Sequence, residues 1–184
     1  MQRLCTWIVA GVAALGLGSQ IMAEDVKLEV GAAAPEFTSK DDTGKDWKST
    51  DHVGKKIVVV YFYPADLTAG CTKQACGFRD DMAKLQQDGV EVVGVSGDSV
   101  ANHKIFKDEK KLNFTLLADE DHAVAERYGV WAEKSMYGKT YWGALRATFI
   151  IDAAGVVQHV IPKVKPKTHD DEVLAALGQL SAPV

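Results

Sequence analysis

Residues Lys56 to Tyr63 read KIVVVYFY, and Pro64 follows directly. A β-branched and aromatic run with no polar alternation suits a strand buried on both faces. Such a strand needs helices covering both sides of its sheet, which already narrows the fold to layered α/β. Pro64 stops the strand, because its ring fixes φ and removes an N–H. After it the period changes. Cys71, Ala75, Phe78, Met82 and Leu85 recur at spacings of four and three, which makes one face of a helix from Cys71 to Gln87. Gly89 ends that helix.

The remaining elements extend the pattern. Val90 to Val95 reads as a second buried strand, and a right-handed crossover makes it the parallel neighbour of the first. Asp98-Ser99 can cap a helix running to about Lys111. Leu116 to Ala118 is a short apolar stretch, and Asp119 or Asp121 can cap a brief helix stopping at Gly129. Ala147–Ile151 and Val156–Ile161 read as strands joined by the turn Asp152–Gly155. Thr168 with Asp171 resembles a capping box at the start of a helix carrying Leu174, Leu177 and Leu180. Upstream, Gly31 to Pro35 leads into an extended stretch around Phe37, Asp41 to Gly44 is a turn, and Lys45 to Ser49 returns. The expected architecture is α/β: a thioredoxin-like fold, with a mixed central sheet flanked by helices and an added N-terminal β-hairpin.

The length of 184 residues suits one domain. A formal charge of −4 with dispersed basic residues argues against nucleic-acid binding and against a polybasic membrane patch. The N-terminus differs in kind. Arg3, the apolar and small run Trp7–Gly18, and Ala23 before Glu24 resemble a secretory signal peptide. Residues 1–23 are therefore expected to be removed, leaving 24–184 as a single periplasmic domain with no membrane attachment. The apolar run is shorter than the roughly 18–20 residues of a spanning helix; an uncleaved anchor is the alternative. Cys5 leaves with the leader, so Cys71 and Cys76 remain.

The loop Pro64–Cys71 delivers a thiol to a helix start, where N–H groups and the helix dipole favour its anion. A free thiol of pKa near 8.5 is only about 3% ionised at pH 7, and a shift of two units requires about 2.7 kcal/mol. A helix N-terminus supplies roughly 0.3–2 kcal/mol of that. A nearby guanidinium can supply the remainder. A stabilised thiolate is a nucleophile, and the second thiol can capture its oxidised form. As a structural staple, a Cys71–Cys76 bridge would contribute only about 2 kcal/mol. It would also cost helical hydrogen bonds worth about 1 kcal/mol each. It makes better sense as a bond that forms and is reduced in a cycle. On a helix the two residues differ by a rise of about 7.5 Å and a rotation of about 140°. That exceeds the roughly 7 Å Cα separation a disulfide allows, so the first turns must unwind for the bridge to form. The alternative reading of Cys76 is an ordinary small buried residue. Thr68 can place its hydroxyl on the thiolate or on a substrate oxygen, or simply cap the helix. Pro64 is expected to shield the thiolate and shape the loop, and backbone N–H groups at Gly70 and Cys71 are candidate donors to a substrate oxygen.

Pro64, Thr68 and Cys71 match the Pro-x-x-x-Thr-x-x-Cys signature of the peroxiredoxins. TAGCTKQACGFRD (68–80), GVSGDS (94–99), LLADEDHAVAERYGVW (116–131), MYGK (136–139) and RATFIID (146–152) resemble the bacterioferritin comigratory protein, or peroxiredoxin Q, subfamily. The resemblance covers the chain after the leader almost end to end. It implies a thiol-dependent peroxidase reducing hydrogen peroxide and organic hydroperoxides. Cys71 would become a sulfenic acid, Cys76 would resolve it as an intramolecular disulfide, and a thioredoxin-like protein or a small thiol would reduce that bridge. It also implies that Arg146 reaches Cys71 and helps bind the peroxide together with Thr68 and Gly70. No metal or organic cofactor is expected. An internal resolving cysteine needs no partner subunit, which favours a monomer over a dimer. One departure is Ala69, where the subfamily usually has proline; losing that fixed φ loosens the loop.

Two other functions compete. An exported thiol–disulfide oxidoreductase would suit the fold, but such enzymes normally carry Cys-x-x-Cys, which this chain lacks. A non-catalytic binding module is disfavoured by the intact set Pro64, Thr68, Cys71 and Arg146. The histidines His52, His103, His122, His159 and His169 lack paired metal spacing and read as surface or packing residues. Asp119-Glu120-Asp121 reads as a helix start, Lys107–Lys111 as a solvated face, and Lys163–Lys167 as a solvated loop or docking edge. Trp131, Tyr137 and Trp142 read as core or hairpin packing outside the site.

Overall fold

The fold is a computed structural model describing residues 26–136 and 138–180, so the expected leader and Tyr137 lie outside it. Strand β3 (Ile57–Phe62) pairs in parallel with β4 (Val90–Ser96) and antiparallel with β8 (Thr148–Ile151). β4 pairs in parallel with β5 (Thr115–Ala118), and β9 (Val157–Ile161) pairs antiparallel with β8. The hairpin of β1 (Thr38–Asp41) and β2 (Asp46–Lys48) adds to β5, completing a seven-stranded sheet ordered β2-β1-β5-β4-β3-β8-β9. The mixed sheet and the added hairpin match the sequence reading.

The two-residue period of β3 divides the core. Val59 and Tyr61 face one side, where helices α1 (Ala69–Gln87), α2 (Val100–Lys110) and α4 (His169–Leu180) bury Phe78, Phe106, Val173 and Leu177. Val58, Val60 and Phe62 face the other side, against Phe37, Trp47, Tyr128 and the short α3 (Ala123–Arg127). Every apolar residue of the expected helical stripe, from Cys71 to Leu85, is buried. The ends follow local chemistry. Ser99 Oγ accepts from Asn102 N at 3.3 Å to cap α2, and Asp119 accepts from Val124 N and Ala125 N at 2.9 and 2.8 Å at the start of α3. Helices α1 and α4 approach closely at Gly77, where an added Cβ would lie 2.6 Å from Asp170 Oδ2.

One element was not expected. β6 (Trp131–Met136) and β7 (Lys139–Ala144) form a separate two-stranded hairpin. Much of β7 is exposed, including Trp142, so its sequence lacks the apolar-in, polar-out alternation that marks a strand on a sheet face. Lys107 is also less solvated than its helix face suggested, because its Nζ bonds both carboxylate oxygens of Asp42 at 2.9 and 2.8 Å.

Candidate active site

The loop from Pro64 to Thr68 carries the chain from the end of β3 to the start of α1. Pro64, Leu67 and Thr68 are exposed. Leu67 has φ of +56°, a conformation an L side chain adopts only at a cost. Asp66 ties the loop down from inside. Its carboxyl accepts from Tyr63 Oη at 2.7 Å and lies 2.8 Å from His103 Nδ1 on α2, while its backbone N donates to Asp98 Oδ2 at 2.8 Å. Ser96 Oγ also donates to that Asp98 oxygen, at 2.7 Å. His103 is fully buried, and its Nε2 has no hydrogen-bond partner among the described residues. Thr68 is the N-cap residue of α1, and its carbonyl accepts the helix-starting bond from Thr72 N at 2.8 Å. Its hydroxyl donates to Ala65 O at 3.2 Å and neither caps the helix nor bonds Cys71. The helix begins at Ala69, two residues before the expected start, so Cys71 lies within the first turn.

Cys71 is 1% exposed. Arg146 Nη2 lies 3.1 Å from its Sγ, within charge-assisted hydrogen-bonding range of a thiolate. The backbone around Arg146 is pinned on both sides: Leu145 N donates to Val130 O at 2.7 Å, and Phe62 N donates to Ala147 O at 2.8 Å. The short link between β7 and β8 therefore has little freedom to carry the guanidinium elsewhere. Arg146 Nη1 bonds Gln74 Oε1. Gln74 Nε2 is 3.0 Å from His169 Nδ1, and His169 Nε2 is 2.8 Å from Thr148 Oγ1. Burial, and then the Arg146 charge, push the His169 pKa down to about 3. Burial, reinforced by Cys71, pushes the Tyr61 phenol well above its ordinary range, so that buried hydroxyl stays neutral.

Cys76 is half-buried on the same helix, and both thiols are free. Asp80 first, and Cys76 to a lesser degree, raise the pKa of Arg79. An added Cβ on Gly70 would lie 3.5 Å from Arg146 Nη2, so its bare Cα faces the guanidinium. A cavity of about 340 Å³ opens beside Arg146, walled by Leu145, Pro162 and Val164 and edged by Lys163 and Lys165. Among the described residues no group of three or more His, Cys, Asp or Glu side chains could hold a metal ion.

The structure thus brings Arg146, Gly70 and Cys71 together, leaves Pro64 exposed at the loop entrance, and turns the Thr68 hydroxyl back onto its own loop. The sequence reading missed Gln74, His169, Thr148 and the Asp66–His103 pair. A signal for two of them was present. Gln74 lies three residues after Cys71 and four before Phe78, on the buried face of α1. His169 lies four residues before Val173 on the buried face of α4. A polar residue on an apolar stripe needs a buried partner.

Residues 30–160 match the AhpC/TSA family. Peroxiredoxin Bcp of Escherichia coli strain K12 is 48% identical over 147 residues, covering 80% of this chain and 94% of that protein. Peroxiredoxin Bcp of Bacillus subtilis strain 168 is 42% identical over 154 residues, covering 84% and 98%. Among solved structures, the bacterioferritin comigratory protein of Xanthomonas campestris, described for its alkyl peroxide reduction activity, superposes with a TM-score of 0.77 at 35% identity, covering 86% of this chain and all of that one. Peroxidoxin BcpB from Mycobacterium tuberculosis gives 0.75 at 31% identity, covering 84% and 99%. With the fold, the thiol and its arginine arranged as above, the chain belongs to the AhpC/TSA family and, within it, to the Bcp/peroxiredoxin Q peroxiredoxins, which are thiol-dependent peroxidases.

Proposed function

We propose that this peroxidase reduces hydrogen peroxide and organic hydroperoxides through Cys71, with Cys76 as the resolving thiol. The observation that carries this reading is the 3.1 Å contact between Arg146 Nη2 and Cys71 Sγ at the first turn of α1. The Cys71 thiolate attacks one peroxide oxygen in line with the O–O bond. That bond breaks, the departing oxygen leaves as alcohol or water after taking a proton, and Cys71 becomes a sulfenic acid. Arg146 and backbone N–H groups at the helix start stabilise the charge as it moves across the two oxygens. The cavity beside Arg146 gives an organic hydroperoxide room for its carbon chain.

The Cys76 sulfur then attacks the sulfenic sulfur, water leaves, and a disulfide joins the two cysteines. A dithiol reductant returns two electrons and two protons. Both cysteines now lie on one intact helix, where ideal geometry separates their Cα atoms by about 8.7 Å. The first turns of α1 therefore unwind before the bridge closes. The Arg3 and Trp7–Gly18 pattern supports export, and the cycle then runs in the periplasm on a thioredoxin-like protein or a small thiol, with the chain acting as a monomer. Peroxide turnover by wild type, Cys71→Ser and Cys76→Ser tests the assignment. Cys71→Ser loses even the first turnover. Cys76→Ser keeps it but fails to recycle. A Cys71→Ser protein that still consumes one equivalent of peroxide would overturn the reading.

A further inference from the structure

We propose that His169 and Thr148 are positioning residues for the peroxidase reaction, holding the Arg146 guanidinium on Cys71 through Gln74. The inference rests on Cys71 and Arg146 acting as described above. The order of donors and acceptors is dictated from one end. A guanidinium only donates, so the Gln74 atom facing Arg146 Nη1 is its oxygen. The Gln74 amide nitrogen then faces His169 Nδ1 at 3.0 Å, and that ring nitrogen must accept. The ring is therefore neutral with its proton on Nε2, which donates to Thr148 Oγ1 at 2.8 Å. The low pKa of His169 agrees with a ring that stays neutral across the physiological range.

Position adds to this logic. Gln74, His169 and Thr148 are 1%, 0% and 0% exposed, so water does not compete for these bonds. The three residues come from α1, α4 and β8, so the chain of bonds ties one helix to its neighbour and to the sheet. Phe78 meets the His169 ring edge-on with centroids 4.8 Å apart, which holds it in plane. Arg146 has a long side chain with many rotamers. Fixing one of its nitrogens on a rigid amide keeps the other on the sulfur. If His169 were removed, the Gln74 amide could turn, and its nitrogen would then repel the guanidinium it now holds.

A role in packing alone is separable from a role in positioning. The test measures single-turnover oxidation of Cys71 by hydrogen peroxide, together with thiolate absorbance at neutral pH. Outer partners that orient metal ligands are worth about 10–100-fold, and a partner one step behind Arg146 is expected at the low end of that range. His169→Leu is expected to slow oxidation about tenfold and to lower the thiolate absorbance. His169→Asn, whose Oδ1 can stand in for Nδ1 as the acceptor for Gln74, should recover to within about threefold of wild type. The near-isosteric Thr148→Val deletes only the acceptor of His169 Nε2–H and should slow oxidation about threefold. Wild-type rate and absorbance in both His169→Leu and Thr148→Val would overturn the proposal, even with a lowered melting temperature. So would an Asn variant as slow as the Leu variant. If His169→Leu does not fold, Thr148→Val alone decides by the same criterion. A wild-type protein that hydrogen peroxide fails to oxidise at Cys71 would instead overturn the assignment of the site.

Discussion

Two fully buried histidines bond the segment that delivers Cys71, one at Asp66 and one at Gln74, and they are wired differently. His103 meets Asp66 through one nitrogen, and its other nitrogen has no partner among the described residues. His169 uses both nitrogens, one toward Gln74 and one toward Thr148. The first fixes a stretch of backbone, because Asp66 belongs to the loop ahead of α1 and a single strong contact is enough. The second belongs to a line of side chains that ends on a charge, where the direction of every hydrogen bond matters. Holding a loop in place and aiming a cation are distinct tasks, and the molecule assigns them to separate networks.

The largest test of that contrast removes the loop anchor. His103→Leu leaves the buried Asp66 carboxyl short of a partner and should cost about 3 kcal/mol of stability. Denaturant unfolding would measure it. Thiolate absorbance at neutral pH should change less than in Gln74→Leu; the reverse order would break the contrast. A second test uses pH. The folded His169 resists protonation down to about pH 3, whereas the unfolded chain takes up that proton near its ordinary value of 6.5. The unfolded state therefore binds more protons in this window, and stability falls as pH drops through it, by up to about 1.4 kcal/mol per unit. His169→Asn should flatten this slope; parallel curves for the two proteins would refute it. The smallest effects sharpen the comparison at the loop itself. Leu67→Asn relieves a left-handed leucine and should gain about 1 kcal/mol. Ala69→Pro fills the first helical position behind a Thr68 already at φ −69° and ψ 149°, and should gain roughly 0.4–1 kcal/mol. Melting temperatures about 1–4 °C higher would record either gain.

Much of the frame was legible from local pattern. The run Lys56–Tyr63, the stripe from Cys71 to Leu85, the Ser99 cap and the Asp152 turn each depend on neighbours within a few residues. The thiol was legible from its place between strand and helix, and its arginine only through a family resemblance, because 75 residues separate them. The inner network was harder still. Gln74 and His169 stand 95 residues apart, and nothing local says which buried glutamine a histidine will meet. The β6–β7 hairpin was missed for another reason: β7 is exposed over most of its length and buries too little to leave a periodic signature.

Gln74 sits between Cys71 and Cys76 on one helix, and this has a consequence for the proposed cycle. Uncoiling the first turns so that the two sulfurs can meet also withdraws Gln74 from Arg146 and from His169. Closing the bridge and releasing the cation are then a single mechanical event. In the proposed cycle this coupling makes an interlock: a spent molecule cannot re-arm its sulfur until a reductant has cut the bridge and the helix has wound back.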